Sequence, residues 1–332
     1  MSRARSSPGC PAHLSSFGKD TASRNRVGMR FLCLLAFAAA SAEDTAPTPA
    51  SWTVSAPMHV RKAHLDTAAL NATIFAIGGE NGTDEVSTVQ MFNGKAWTAG
   101  PSLIEARSSV GVAALGSTMY AVGGWSSLEQ KALATVELLG SSAGRWVAGP
   151  TMHEGRNGLK VAALGGKLFA VGGANTKGDN LRTVEVLATD GTAWTAAPSM
   201  NISREGHGVA VLGGKLYAVG GLSDDATPMT SMEIYDPRVR SWSKGPDMKT
   251  GRFQFGLAVH EGKLYAIGGA DSIGDPITAV EIYDPVANAW SAGPPLSTGR
   301  RSSGAAAMGG SIYVAGGIGG NGNALKSVER LQ

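Results

Sequence analysis

The sequence predicts an all-β fold of the β-propeller class, and two repeated features of the 332-residue chain support this. The first is a pair of adjacent glycines that recurs six times at intervals of 45 to 49 residues, each with an aromatic residue three positions before it. These pairs begin at Gly78, Gly123, Gly172, Gly220, Gly268 and Gly316. The second is a tryptophan downstream of five pairs, at Trp97, Trp146, Trp194, Trp242 and Trp290. A period near fifty with four short apolar runs per unit is typical of a propeller rather than a helical solenoid.

Residues 204–248 show the unit that the rest of the chain repeats. They run R-E-G-H-G-V-A-V-L-G-G-K-L-Y-A-V-G-G, then a polar loop, then S-M-E-I-Y-D-P-R-V-R-S-W-S-K-G-P-D-M. The apolar runs are bounded by Gly-Gly-Lys, Gly-Gly and Asp-Pro turns, which indicates four short strands. Forty-six glycines and 17% charged residues fit such a turn-rich chain.

The last repeat indicates how the ring closes. After Gly316-Gly317 the chain offers only one more strand pattern, Ser327–Gln332, and no tryptophan. Residues 51–57 match the missing piece, since Ser51-Trp52-Thr resembles Ala289-Trp290-Ser. We therefore predict that the N-terminal strand completes the sixth blade, which removes two open sheet edges. A truncated seventh repeat is the alternative.

Over residues 51–332 these features resemble Kelch repeats: the Gly-Gly pair, the strand pattern V/M-E-I/V-Y/L and the spaced tryptophan. The resemblance implies a six-bladed Kelch-type β-propeller with four antiparallel strands per blade. It implies much less about function, because one fold supports many activities.

Residues 1–42 are predicted to be a targeting region. An apolar run at residues 31–40 follows Met29-Arg30 and precedes the small residues Ala40-Ser41-Ala42. This pattern is typical of a secretory signal, and the run is too short to span a bilayer. We therefore expect a secreted protein, extracellular or periplasmic, without stable membrane insertion. A disordered cytosolic leader is the alternative, and Met29 as the true start stays open. Residues 43–50 are a predicted linker.

The net charge and the positions of the cysteines limit the classes of function that the sequence supports. The chain carries +3, but residues 1–42 hold six Lys/Arg and one Asp, so residues 43–332 carry about −2. This balance gives no indication of nucleic-acid binding. Both cysteines, Cys10 and Cys33, lie in the targeting region, so residues 43–332 have neither a disulfide nor a thiol nucleophile. The histidines lack metal-ligand spacing. We expect a monomer without metal or cofactor.

Three Asn-x-Ser/Thr sequons occur, at Asn71, Asn81 and Asn201. Asn71 falls in the predicted turn between the first two strands of its repeat, which is compatible with glycosylation in a eukaryotic source. Chance sequons are the equal alternative, and the sequence does not separate the two.

Alternating strand directions sort the loops onto two faces. The turns between the first and second strands and between the third and fourth are short and uniform, and we call their side the short-turn face. The loops between the second and third strands differ in every repeat and share the other side, the variable-loop face, with the inter-blade connections. These loops are residues 80–87, 125–135, 174–183, 222–231, 270–279 and 318–327. Varied loops on a rigid scaffold usually carry binding.

A basic residue recurs nine positions before each first turn. The set is Lys62, Arg107, Arg156, Arg204, Arg252 and Arg300. One interpretation is a ring near the channel mouth that clamps carboxylates. The other is architecture: these side chains pair with the glutamates that recur on the third strand, such as Glu233 and Glu281, or with loop carbonyls. Trp125, the only tryptophan outside the repeat positions, opens a variable loop. It is predicted either to bind a sugar or partner or to pack on its own blade.

We predict a non-catalytic binding module that recognises a protein or an acidic glycan or peptide through the variable-loop face. The resemblance offers an alternative, because some secreted six-bladed Kelch proteins are sugar-acid epimerases or mutarotases, such as N-acetylneuraminate epimerase. That activity would need an arginine on the substrate carboxylate and an acid or base at the anomeric centre. The corresponding set here is Arg204, Glu205 and His207, with Arg107, Arg156 or Arg252 as other carboxylate holders.

Overall fold

The computed structural model describes residues 50–140 and 143–332, which form strands and turns only. The prediction of an all-β fold is confirmed. In chain order the strands are β1 (Thr53–Ser55), β2 (Asp66–Leu70), β3 (Thr73–Ile77), β4 (Val89–Phe92), β5 (Trp97–Gly100), β6 (Gly111–Leu115), β7 (Thr118–Val122), β8 (Trp125–Ser126), β9 (Lys131–Ala132), β10 (Val136–Gly140), β11 (Val147–Ala148), β12 (Lys160–Leu164), β13 (Lys167–Val171), β14 (Val184–Leu187), β15 (Trp194–Ala197), β16 (Gly208–Leu212), β17 (Lys215–Val219), β18 (Met232–Asp236), β19 (Ser241–Lys244), β20 (Gly256–His260), β21 (Lys263–Ile267), β22 (Val280–Asp284), β23 (Ala289–Ala292), β24 (Gly304–Met308), β25 (Ser311–Ala315) and β26 (Val328–Leu331).

The strands form six four-stranded antiparallel sheets, which we number as blades 1 to 6 along the chain. Blade 1 is β2-β3-β4-β5, and blades 3, 4 and 5 repeat this order with β12–β15, β16–β19 and β20–β23. Blade 2 is β6-β7-β10-β11, with the small hairpin β8-β9 inserted in its variable loop. The first strand of each blade contacts the first strand of the next, and β24 contacts β2. The predicted six-bladed propeller is confirmed.

The N-terminal strand closes the ring. Blade 6 has the order β1-β26-β25-β24, and β1 pairs with β26 in antiparallel register, with Val54 opposite Glu329. The indole Nε1 of Trp52 donates to the Pro294 carbonyl at 2.9 Å. The predicted closure is therefore confirmed, and the alternative of a truncated seventh repeat is wrong.

The repeat tryptophans bind neighbouring blades together. The indole N–H of Trp194 in blade 3 donates to the Pro150 carbonyl at the end of blade 2, at 2.9 Å. The same bond recurs at 2.8–3.0 Å for the indoles of Trp52, Trp97, Trp146, Trp242 and Trp290. A buried indole N–H needs such an acceptor. Each tryptophan therefore supplies apolar area and one directed hydrogen bond between blades.

The glycine pairs allow the chain to pass very close to its neighbour. Gly79 has φ +92°, and a Cβ there would lie 2.4 Å from the carbonyl oxygen of Ala63. Only glycine tolerates both the conformation and the approach. This contact aligns each inter-blade connection with the start of the variable loop, as in the isolated bridge between Ala63 and Glu80. The two segments that form the variable-loop face are thus joined in every blade.

The predicted targeting region and nearly all of the predicted linker lie outside the described residues. No helix in the described part of the chain is long and apolar enough to cross a membrane.

Candidate functional site

The six basic residues of the repeat are buried rather than presented at a channel mouth. Each is at most 1% exposed. In blade 5 the guanidinium Nη1 of Arg252 donates to the carbonyls of Gly268 and Ala279 at 2.9 and 2.8 Å. Its Nη2 donates to Glu281 Oε1 at 2.8 Å. The other members of the set are Lys62, Arg107, Arg156, Arg204 and Arg300.

The partner carboxylate connects these arginines to the backbone of the inter-blade connection. Glu281 accepts the backbone N–H groups of Lys249 and Thr250 at 2.7 and 3.1 Å while it pairs with Arg252. Equivalent ion pairs of 2.8–3.3 Å recur in blades 2, 3, 4 and 6. A buried charge pair of this kind is maintained by further hydrogen bonds to both partners. The network fixes each connection to its own blade.

The interpretation of these six side chains as a ligand clamp is therefore corrected. A ligand would have to reach guanidinium groups that are closed off from solvent and whose Nη atoms already donate to backbone carbonyls. The contacts favour the architectural alternative instead. The sequence placed these residues correctly on the variable-loop side, but their side chains turn inward.

Blade 1 replaces the Arg–Glu pair by Lys62 and Gln90. The Lys62 ammonium donates to the carbonyls of Gly78 and Thr88, the first at 2.9 Å, and no carboxylate of the described residues pairs with it. The Gln90 amide oxygen accepts the backbone N–H groups of His59 and Val60, as glutamate does elsewhere. Burial lowers the pKa of Lys62 to about 7. Blade 1 thus keeps the hydrogen-bond pattern of the other blades without the negative charge of the glutamate.

Six backbone hydrogen bonds form a closed ring at the centre of the variable-loop face. Its members lie two positions after each basic residue and share a φ between +50° and +59°. They are His64, Ser109, Gly158, Gly206, Gln254 and Ser302, and each N–H donates to the carbonyl of the preceding member at 2.7–3.0 Å. The sequence prediction missed this central ring because its side chains differ in type and share only a left-handed backbone.

The central ring surrounds a small cavity of about 50 Å³. This volume holds a few water molecules, far below the roughly 300–1,000 Å³ of small-molecule sites. Below it the Lys160 ammonium pairs with Asp66 at 2.9 Å, which joins blade 3 to blade 1 across the channel. The other four blades have glycine at this position. The ion pair therefore crosses the channel at a level where the other four blades have no side chain.

The alternative catalytic set is not brought together at this cavity. Glu205 lines the cavity, and burial raises the pKa of its carboxyl group. Arg204 instead donates to the carbonyls of Gly220 and Ser231 inside blade 4. His207 is fully buried, neither ring nitrogen has a hydrogen-bond partner among residues 50–140 and 143–332, and burial lowers its pKa well below the ordinary value. Of the three side chains, the structure therefore places only Glu205 at the cavity, and a shared catalytic role stays a prediction.

Trp125 begins the β8-β9 hairpin and is half-buried. Its backbone pairs with Ser108, and the hairpin is held from both sides. Glu85 of blade 1 accepts the N–H of Ser127 at 2.7 Å, and the hydroxyl of Thr176 in blade 3 accepts that of Ala132 at 3.1 Å. The hairpin is therefore a fixed projection of the variable-loop face, and Trp125 lies at its base.

An open groove lies on the variable-loop face between blades 1 and 6, with a volume of about 750 Å³. We call it the blade 1–6 groove, lined by residues 59–61, 81, 83, 321 and 323–327. His59, Arg61 and Lys326 are exposed along it. The sequence prediction missed this groove, because it forms only where the first and last repeats meet. The one sequence feature that pointed to the groove was Arg61, a second basic residue directly beside the buried Lys62.

The floor of this groove is well defined. The backbone N–H of Met58 donates to the Lys326 carbonyl at 2.8 Å, and that of Lys62 to the Leu325 carbonyl at 3.0 Å. Neither Arg61 nor Lys326 forms a salt bridge with a carboxylate of the described residues. Within residues 50–140 and 143–332 no cluster of three His, Cys, Asp or Glu side chains is arranged to hold a metal ion.

Comparisons with known proteins agree with this architecture. Residues 109–317 match the family model described as the KLHDC2/KLHL20/DRC7 Kelch-repeats domain. The solved structure of YjhT superposes with a TM-score of 0.74 at 15% sequence identity, covering 83% of this chain and 99% of YjhT. No curated protein sequence matches the chain. Since 782 chains of solved structures share the fold, the fold alone does not specify a ligand. The chain belongs to the Kelch-repeat family.

Proposed function

We propose that this protein is a non-catalytic binding module that recognises an acidic partner, a glycan or a peptide, through its variable-loop face. The observation that carries the proposal is the blade 1–6 groove, with three exposed basic side chains on a hydrogen-bonded floor. The propeller acts as the rigid scaffold, and the arginine–glutamate networks hold the connections in place. The module functions as a monomer.

The groove has the chemistry that an anionic, hydroxyl-rich ligand requires. Arg61 supplies a planar fork of donors for a carboxylate, and Lys326 supplies a second positive charge. Asn81, Asn323 and Thr83 add amide and hydroxyl groups that suit sugar hydroxyls or a peptide backbone. The volume of about 750 Å³ lies within the range of ligand pockets.

Binding tests this proposal directly. The full chain is titrated with an oligomer of galacturonic acid, with a capped oligoglutamate peptide and with a neutral galactose oligomer of equal length. We expect binding of an acidic ligand that weakens as salt is added, because the charges are exposed and screened. Whichever acidic ligand binds more tightly identifies the partner class. Equal affinity for the neutral oligomer contradicts the proposal.

A matched pair of variants locates the site. Arg61→Gln with Lys326→Gln removes two charges from the groove, and Arg238→Gln with Lys244→Gln removes two exposed charges from the turn and outer strand of blade 4. We expect the first pair to weaken binding at least about tenfold and the second to leave it unchanged. Equal losses in both would mean that only net charge matters and would refute a groove site.

A sugar-acid epimerase or mutarotase is the second candidate, and Glu205 is the observation that favours it. Its carboxyl group lines the central cavity and has a raised pKa, as a proton-transfer group needs. The small cavity and the buried Arg204 and His207 weigh against it. Anomeric exchange of N-acetylneuraminate, followed by NMR, separates the candidates. Acceleration by the wild type that is lost in Glu205→Gln supports the enzyme, whereas the binding module leaves the buffer rate unchanged.

We also propose that residues 1–42 direct secretion and are then removed. The support is the charged start, the apolar run at residues 31–40 and the small residues before Glu43. N-terminal sequencing of the protein recovered outside the cytoplasm tests this, with a new terminus expected near Glu43. An intact N-terminus and recovery only from the cytosol contradict it.

A further inference from the structure

A second groove lies on the short-turn face, between blades 3 and 4, with a volume of about 630 Å³. We call it the blade 3–4 groove. Its floor is apolar and includes Leu164, Phe169, Val186 and the ring of Tyr235, and Phe169 packs against Tyr235 at 5.9 Å. Two exposed cations, Lys167 and Arg240, also line it. At this groove, blades 3 and 4 differ from other blades in three ways.

The first departure frees Lys167 from its usual partner. In blade 4 the equivalent Lys215 pairs with Asp236 at 2.9 Å, and in blade 5 Lys263 pairs with Asp284 at 3.0 Å. In blade 3 the aspartate position is Ala188, and Lys167 has no salt bridge to any carboxylate of the described residues. The lysine of the turn is kept while its charge partner is lost.

The second departure frees the hydroxyl of Tyr235. In blade 5 the hydroxyl of Tyr283 donates to the side chain of Asn288 at 2.9 Å. The equivalent of Asn288 in blade 4 is Arg240, which keeps the same left-handed backbone, with φ 55° against 51°. Arginine is a donor and cannot accept a hydrogen bond from tyrosine. A polar hydroxyl and a guanidinium therefore lie at the same groove.

The third departure is the incomplete burial of Trp242. The five other repeat tryptophans are 2–7% exposed, whereas Trp242 is only partly buried. Its ring packs against Tyr235 with centroids 5.4 Å apart, and its indole donates to Pro198, another groove residue. Trp242 is therefore joined to the blade 3–4 groove through two of the residues that line it, Tyr235 and Pro198.

We propose that the blade 3–4 groove binds an acidic peptide segment of a partner protein, with a carboxylate next to an apolar side chain. Lys167, Arg240 and Tyr235 all line the groove and would be the donors for the carboxylate, and the apolar floor would accept the apolar side chain. An extended peptide is favoured because β15 forms part of the wall and, among the described strands, pairs only with β14, which leaves its outer edge available. This site is on the opposite face from the blade 1–6 groove.

Capped peptides of alternating leucine and glutamate, and the same peptides with glutamine, serve as probes for the full chain. Titration is followed by calorimetry and by the fluorescence of the partly exposed Trp242. We expect the glutamate peptide to bind about tenfold more tightly than the glutamine peptide. Equal binding of the two, or no binding at millimolar peptide, overturns the proposal.

A sharper test restores the side-chain pairs that other blades have at these positions. Ala188→Asp gives Lys167 the partner that Lys215 and Lys263 have, and Arg240→Asn gives Tyr235 the acceptor that Tyr283 has. We expect both variants to melt at or above the wild-type temperature and to lose binding of the glutamate peptide about tenfold. Lys263→Gln, the change at the equivalent lysine of blade 5, should bind the glutamate peptide as the wild type does. Wild-type affinity in Ala188→Asp would refute the site.

Discussion

At the scale of single residues, His207 stands where blades 1, 2, 3 and 5 carry an apolar side chain and blade 6 carries Ser303. Its counterparts include Leu65, Leu159 and Phe255, all buried. The imidazole is closed off from solvent, and both ring nitrogens lack a hydrogen-bond partner in the part of the chain that the structure describes. A buried polar group without hydrogen bonds destabilises the folded state. His207 therefore destabilises the fold and lines neither of the grooves described above.

His207→Leu should raise the free energy of unfolding by about 1–3 kcal/mol, because it removes two unpaired nitrogens and keeps the volume filled. Leu159→His, the reverse change in blade 3, is the matched control and should lower it.

The folded pKa of His207 lies below 6.5, so the unfolded chain binds more protons as pH falls below 6.5 and stability is lost there. The leucine variant should lose less stability on acidification. Urea unfolding at pH 7 and pH 5 measures both effects, and a destabilised leucine variant would contradict them.

The lowered pKa of Lys62 predicts how the free energy of unfolding changes at alkaline pH. Its pKa is about 7 in the folded chain, against 10.5 ordinarily, because burial disfavours the ammonium. Between these pH values the unfolded chain binds more protons, so the free energy of unfolding should rise with pH. Unfolding of the wild type and of Lys62→Met from pH 7 to pH 10 measures this. The variant should lack the rise, and parallel curves would show that Lys62 titrates normally.

At the scale of the elements, the fourth-strand tryptophans join each blade to the previous one. Trp194 is 2% exposed and makes its inter-blade hydrogen bond at 2.9 Å. Trp242 makes the same bond beside the open blade 3–4 groove. The two positions therefore differ in buried area and not in hydrogen bonding.

Trp194→Ala should lower the free energy of unfolding by about 3–5 kcal/mol, as expected for a large aromatic that leaves a cavity. Trp242→Ala should also destabilise the chain, but by less, because part of its surface is already in water. Chemical denaturation of both variants gives the comparison. An unchanged midpoint for Trp194→Ala would refute the role of tryptophan as the contact between blades.

The elements also show what the sequence can and cannot predict. Glycine pairs, Asp-Pro turns and tryptophans impose local geometry, so the strands and the six blades followed from their spacing. The direction of a long side chain does not follow from spacing. Arg252 has the same position in the pattern whether it reaches out or turns back to Gly268, and only the packed blade shows that it turns back.

At the scale of the whole molecule, closure depends on a strand from the opposite end of the sequence. β1 pairs only with β26, and Trp52 connects it to blade 5. The sequence predicted this because the missing strand carries a recognisable tryptophan. The blade 1–6 groove, which exists only because the two termini meet, had no comparable signal: its residues are ordinary polar loop residues that are far apart in the chain.

A chain shortened to begin at Met58 should be less stable than one that begins at Pro49, because it leaves the outer edge of β26 unpaired. We also expect the shortened chain to self-associate through this edge. Thermal unfolding and size-exclusion chromatography of the two chains measure stability and association. Equal melting temperatures and equal elution would contradict closure by β1.

The most direct test compares one buried arginine of the repeat with one exposed arginine of the groove. Arg252→Ala and Arg61→Ala are measured side by side for thermal unfolding and for binding of the acidic ligand that the wild type prefers. We predict that Arg252→Ala melts early because it leaves Glu281 buried without its cation, and that Arg61→Ala melts as the wild type but binds weakly. The reverse result, a stable Arg252→Ala that no longer binds and an Arg61→Ala that binds normally, would contradict the division between architecture and binding site.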